Sequence, residues 1–182
     1  MVKKITALLL ALVMTFALFG CGASDGEEQD TTAVQTTAKE PEKASDFTVY
    51  DGEGDPVSLY ESFGRPLVVN FWATWCPPCR SEMPHFDALY KEYGDRVEFM
   101  MIDLTDGTRD TEESVKQFIS DNGYSFPVYL DSDIDAAMAY SIQSIPTTIF
   151  FDGEGNIVEY KVGAISESQL EGMLIKMTEG TK

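Results

Sequence analysis

The feature that most constrains this chain is a pair of cysteines, Cys76 and Cys79, two residues apart where an apolar run gives way to a helical pattern. Pro66-Leu67-Val68-Val69-Asn70-Phe71-Trp72-Ala73 reads as a buried strand, and Met83, Phe86, Tyr90 and Tyr93 recur on one side of the helix that follows. Two thiols at this spacing and at this junction can close a small disulfide ring. The first then lies at a helix N-terminus, where partial positive charge and free N–H groups favour the thiolate, the nucleophile of disulfide exchange. The second is near enough to attack a mixed disulfide and release the partner. Half of a zinc site would need a further Cys or His pair, and the chain offers only Cys21 and His85 besides. A purely structural disulfide would close too small a loop to constrain the unfolded chain much.

Within this segment Cys76, which precedes the helix, is expected to be the attacking cysteine, and Cys79, one turn in, the buried resolving one. Pro77 and Pro78 remove two N–H donors where a helix start can spare them. Trp75 is expected beside the disulfide, with plain surface cover as its alternative. Arg80 reads as a solvated helix residue, with a cation that favours the thiolate as the alternative. His85, six residues past Cys79, reads as a surface or capping residue.

The same residues resemble the active-site segment of the thioredoxin superfamily, and in particular of the TlpA/ResA-like extracytoplasmic thiol-disulfide oxidoreductases. Asn70-Phe71-Trp72-Ala73-Thr74-Trp75-Cys76-Pro77-Pro78-Cys79-Arg80 carries the likeness, with Pro84 at the position of the proline that kinks the active-site helix. Ile145-Pro146-Thr147-Thr148 is similar to that family's cis-proline loop. The resemblance spans roughly residues 46–178 and implies an α/β thioredoxin fold: a central mixed sheet flanked by helices, with an N-terminal hairpin and an insertion between core strands. It further implies that Pro146 is cis, and that the backbone of Ile145 faces the disulfide and pairs with substrate as an added strand would. Trp75, Ile145 and Pro146 are thus the expected substrate-binding residues. ResA-type members carry a carboxylate after the second core strand. Asp106 falls about there, as Asp in place of the longer Glu, and reads either as the proton relay to Cys79, with Asp103 as its rival, or as a solvated loop acid.

The remaining elements agree with that fold. Phe47 to Tyr50 reads as a strand, Asp51 to Pro56 as a turn, and Val57 to Tyr60 as a second strand or extended piece. Val97 to Leu104 is nearly all apolar, as strands covered on both faces tend to be. A helix carries Val115, Phe118 and Ile119 and stops at Asn122-Gly123. Phe126 to Leu130 is a short strand, and Ile134, Ala137 and Met138 suggest a short helix. Thr147 to Phe151 and Ile157 to Val162 form a hairpin about Asp152-Gly153-Glu154-Gly155-Asn156. The last helix opens with the capping box Ser166-Glu167-Ser168-Gln169.

Upstream, Lys3 and Lys4 precede the apolar run Ile5 to Phe19, too short to span a bilayer comfortably. Leu18-Phe19-Gly20-Cys21 resembles a bacterial lipobox, so residues 1–20 are expected to be a lipoprotein signal peptide and Cys21 the lipidated residue. Phe19 departs from that pattern, which favours a smaller side chain; ordinary signal cleavage or an uncleaved anchor is the alternative. Residues 21–45, almost without large apolar side chains, read as a flexible acidic tether, and residues 46–179 as the thioredoxin-like domain. A formal charge of −18 argues against nucleic-acid binding and against docking on anionic lipid through a basic patch.

The resemblance implies a lipid-anchored extracytoplasmic reductase of protein disulfides. Its substrates would be of the apocytochrome c or methionine sulfoxide reductase type, and a membrane electron donor of the CcdA/DsbD kind would recharge it. No cofactor is expected beyond the Cys76–Cys79 disulfide, and no metal. The alternatives are a DsbA-like thiol oxidase and a non-enzymatic lipoprotein binding module with the same fold. A peroxiredoxin-like peroxidase lacks its expected Thr three residues before the cysteine, where Ala73 stands.

Overall fold

The structure, a computed structural model, describes residues 42–179. The expected signal peptide, Cys21 and the part of the expected tether up to residue 41 lie outside the described residues. Seven strands are present among those described: β1 (Thr48–Tyr50), β2 (Pro56–Ser58), β3 (Leu67–Trp72), β4 (Glu98–Asp103), β5 (Val128–Leu130), β6 (Thr147–Phe151) and β7 (Ile157–Val162). They form one mixed sheet in the order β2-β1-β5-β4-β3-β6-β7. β3 is parallel to β4, and β4 to β5, while β6 runs antiparallel to β3, and β7 to β6. The β1–β2 hairpin joins the opposite edge through Tyr50 beside Leu130.

All six residues of β3 are buried, because both faces of the strand are covered. Val68 and Trp72 point into one core and Leu67, Val69 and Phe71 into the other. The helices are α1 (Pro77–Tyr93), α2 (Glu112–Asn122), α3 (Asp135–Ala139) and α4 (Glu167–Glu179). The first core takes Met83 and Phe86 from α1, Val115 from α2, and Leu170 and Leu174 from α4. The second is closed by Ala136 of α3, by Leu59 on a single 3-10 turn, and by Ala44 and Phe47.

Two boundaries differ from the sequence reading, and one helix cap has a steric cause. The second arm of the N-terminal hairpin ends at Ser58, whose hydroxyl accepts from the Tyr60 N–H and turns residues 59–62 into the 3-10 turn. Gly94 caps α1 in right-handed conformation: a Cβ there would lie 2.6 Å from the Tyr90 carbonyl, so the need for glycine is one of space. The ordered domain also starts before residue 46. Ala44 N–H donates to the Gly155 carbonyl, Ile157 N–H donates to the Glu42 carbonyl, and the Tyr140 hydroxyl bonds the Ser45 backbone. These contacts are made by main chain, which the composition of residues 42–45 does not betray.

Register decides what meets at the site. Trp72 lies beside Asp103 and Phe71 beside Thr147. The turn that leaves β3, the loop that leaves β4 and the loop that enters β6 therefore gather at the carboxyl end of β3.

Candidate active site

Cys76 is the N-cap of α1: its Sγ accepts the Cys79 N–H at 3.2 Å, and Pro77 and Pro78 occupy the first two helical positions, where an N–H would go unused. Cys76 and Cys79 are joined as a disulfide. Cys79 is 0% exposed and Cys76 3%, so only Cys76 offers any surface to an incoming sulfur. The Ile145–Pro146 peptide is cis, Pro146 is buried, and its carbonyl accepts the Gly163 N–H at 2.8 Å. Trp75 and Ile145 face a common cleft of about 340 Å³, whose other walls include Leu104, Asp106, Arg109 and Ile142.

The structure gives Asp106 a part unlike the expected one. Its Oδ1 accepts from the N–H and hydroxyl of Thr108 and from the N–H of Arg109, and its Oδ2 accepts from Arg109 Nε at 2.8 Å. These donors hold its carboxyl well below the usual range, so it stays ionised at neutral pH. A permanently charged, exposed carboxylate does not take up and return protons there; the relay expectation for Asp106 is corrected on that ground. Arg109 lies over the Trp75 ring at 3.8 Å from its centre.

Two buried acids are better suited. Asp103 at the end of β4 is fully buried, accepts from the Thr105 hydroxyl at 3.0 Å, and leaves Oδ2 without a partner. Burial first, and the negative charge of Asp110 second, push it up to about 8. Asp110, also fully buried, accepts the Thr74 N–H at 2.8 Å and the Thr74 hydroxyl. Glu82, absent from the sequence reading, lies one turn beyond Cys79 on the inner face of α1 and is 1% exposed. Its Oε1 accepts from Asn70 Nδ2 at 3.1 Å and its Oε2 from the Ile165 N–H at 2.8 Å. Burial pushes it up to about 7, with both hydrogen bonds opposing. The signal was present: Cys79, Glu82, Met83 and Phe86 follow helical spacing, so an acid falls inside an otherwise apolar stripe. Among the described residues no group of three or more His, Cys, Asp or Glu is arranged to hold a metal ion.

A mixed sheet flanked by helices, with a Cys-Pro-Pro-Cys disulfide at the head of the helix after the buried strand β3 and a cis-proline loop leading into the neighbouring β6, defines a thioredoxin-fold thiol-disulfide oxidoreductase. The profile of the AhpC/TSA family matches residues 41–160. The thiol-disulfide oxidoreductase ResA of Halalkalibacterium halodurans is 36% identical over 140 residues, 76% of this chain and 77% of that protein. The sporulation thiol-disulfide oxidoreductase A of Bacillus subtilis is 31% identical over 140 residues, 76% of this chain and 84% of its own. Among solved structures, StoA from Bacillus subtilis superposes with a TM-score of 0.62 at 30% identity, covering 72% of this chain and 98% of that one. An exposed lipoprotein thioredoxin of Streptococcus pneumoniae gives 0.64 at 25% identity, with 72% and 99% covered. The chain belongs to the AhpC/TSA family of thioredoxin-like proteins, and its similarity is to the ResA and StoA type of thiol-disulfide oxidoreductase.

Proposed function

We propose that this protein reduces disulfides of extracytoplasmic proteins while tethered to the membrane through lipid on Cys21. The observation that carries the reading is the Cys76–Cys79 disulfide at the head of α1, open only at Cys76 and flanked by the cleft between Trp75 and Ile145. In the reduced protein the Cys76 thiolate attacks one sulfur of a substrate disulfide; that bond breaks, and the departing sulfur takes up a proton. Cys79 then loses its proton and attacks Cys76 Sγ, which expels the substrate's first sulfur as a thiolate that takes up a proton in turn. A substrate dithiol and the intramolecular disulfide result. Glu82, one turn from Cys79 and titrating near 7, suits the acceptor of the Cys79 proton, with Asp103 as the second candidate. Two electrons and two protons from a membrane donor of the CcdA/DsbD kind restore the dithiol. Substrates are oxidised proteins of the apocytochrome c or methionine sulfoxide reductase type, docked against Trp75 and the Ile145–Pro146 backbone.

Reduction is favoured over oxidation because the segment between β4 and β6 holds only helices of 11 and 5 residues, with no large helical insertion. The midpoint potential tests the direction: a value near about −270 mV fits a reductase, and one near about −120 mV an oxidase. Cys76→Ser is expected to abolish protein-disulfide reduction, and Cys79→Ser to accumulate mixed disulfides with substrate. The opposite pattern would reverse the two roles.

The tether rests on Lys3, Lys4, the apolar run and Leu18-Phe19-Gly20-Cys21, and a similar protein from Streptococcus pneumoniae is named as a lipoprotein. No helix among the described residues is long and apolar enough to cross a membrane. Mass spectrometry of the mature protein is expected to find Cys21 acylated at the new N-terminus; an unmodified Cys21 or another start would overturn this.

A further inference from the structure

The loop between β4 and α2, residues 104–110, makes an arrangement that disulfide exchange itself does not require. Asp106 Oδ1 gathers the N–H groups of Thr108, Arg109 and Asp110 at 2.9, 2.7 and 3.3 Å. Gly107, at φ +69, makes the left-handed turn and donates its N–H to the Asp110 carbonyl at 2.9 Å. The loop is thus folded on itself, and two arms leave it in opposite directions. Asp110 turns inward, fully buried, and holds the Thr74 N–H and hydroxyl. Arg109 turns outward and lies on the Trp75 ring, its Nε fixed by Asp106. The two residues immediately before Cys76 are therefore held from both sides by a single loop.

We propose that this loop is a clamp for the active-site turn, and that Arg109 is the positioning residue through which it sets Trp75 as a wall of the protein-substrate cleft. The proposal rests on the oxidoreductase reading above. An Arg–Asp pair at the surface contributes little to stability by itself. Its geometry matters more: a planar guanidinium held by Asp106 covers one side of the indole and leaves the rest of the ring to the cleft with Leu104, Ile142 and Ile145. Trp75 is 40% exposed, and a large aromatic so exposed is free to rotate unless something stacks on it. Ordering that wall before substrate arrives removes an ordering cost from docking. A small aromatic disulfide needs only Cys76 Sγ, whereas a protein disulfide needs the wall.

The test compares Arg109→Gln, Arg109→Lys and Asp106→Asn with the parent. One readout is acrylamide quenching of tryptophan emission, which reports Trp75 because Trp72 is fully buried. The other is the ratio of kcat/KM on a protein disulfide to kcat/KM on a small aromatic disulfide. Arg109→Gln is expected to raise quenching and lower the ratio about three- to tenfold, the size of a lost cation–π contact. Lys keeps the charge without the plane and is expected to fall between, and Asp106→Asn to move both readouts the same way by releasing Arg109. Arg109→Gln unchanged in either readout overturns the proposal, and so does Arg109→Lys matching the parent in both. Arg109 is exposed, so its variants keep the test open if Asp106→Asn does not fold. A parent inactive on every disulfide would overturn the functional reading instead, leaving the quenching comparison to judge the clamp.

Discussion

Glu82 enters the domain interior with only two hydrogen bonds, one from a side-chain amide and one from a backbone N–H, and no cation among them. In the unfolded chain a glutamate titrates near its ordinary 4.5, whereas in the folded domain Glu82 titrates at about 7. Between those values the folded state keeps a proton that the unfolded state has released, so Glu82 makes stability fall as pH rises across that window. The loss is on the order of 3 kcal/mol when complete above the folded value. Asp103 acts in the same direction and extends the fall toward 8. Glu82→Gln removes the titration while keeping an oxygen for the Ile165 N–H. Its stability relative to the parent, from urea midpoints between pH 4.5 and 8, is expected to improve steadily as pH rises; a constant difference would mean that Glu82 titrates alike in the folded and unfolded chain. The cysteines, the proline loop and Trp75 were legible because each carries a chemical signature in the chain itself. Glu82 is hidden because one acid among 31 Asp and Glu reads as solvated until the helix is turned and its inner stripe seen. The surroundings of Asp106 are hidden for a related reason: position in a loop says where a carboxylate is, not how many donors will converge on it.

At the scale of elements, strands and helices were readable wherever burial writes a period into the sequence, as in β3 with six buried residues or in α4 with Leu170, Leu174 and Met177 inward. The loop before α2 left no such trace. Its bonds join aspartates, a threonine and an arginine, residues that a solvated loop would also contain. What ends that loop is a cap: Thr111 Oγ1 accepts the Ser114 N–H at 3.2 Å, and Ser114 Oγ accepts the Thr111 N–H at 2.8 Å. At the other end Gly123, at φ +68, closes α2 by donating to the Ile119 and Ser120 carbonyls. Acidic Glu112 and Glu113 in the first turn complement the helix dipole. Thr111→Ala leaves the Ser114 N–H without its acceptor, while the N–H of residue 111 keeps Ser114 Oγ, and is expected to cost about 1 kcal/mol, with an unchanged denaturant slope. A much larger loss, or a changed slope, would mean that the cap holds the neighbouring loop as well as α2.

For the molecule as a whole, composition locates a folded domain, but it misplaces that domain's first residues. Residues 42–45 have no large apolar side chain, so a reading by composition assigns them to the tether. The structure instead lays them along the β6–β7 turn, with Lys43 bridged to Asn156 and the small side chain of Ala44 buried. Ala44 is held further by the Tyr60 hydroxyl, which donates to its carbonyl at 3.0 Å, and Lys43 Nζ reaches the Glu154 carbonyl at 3.2 Å. A chain beginning at Asp46 loses these bonds and uncovers the second core beside Phe63 and Phe151, which pack edge to face. Each net hydrogen bond is worth about 1 kcal/mol, and the entropy of ordering four residues offsets much of their sum. A chain starting at Glu42 is therefore expected to be more stable than one starting at Asp46 by about 1–2 kcal/mol. Both should reduce a small disulfide equally, because the seam lies on the core face away from α1 and Cys76. Urea midpoints of the two chains under identical salt decide it. Equal midpoints would return residues 42–45 to the tether, and a loss of reduction with the shorter chain would mean that the seam is coupled to the active-site turn through β3.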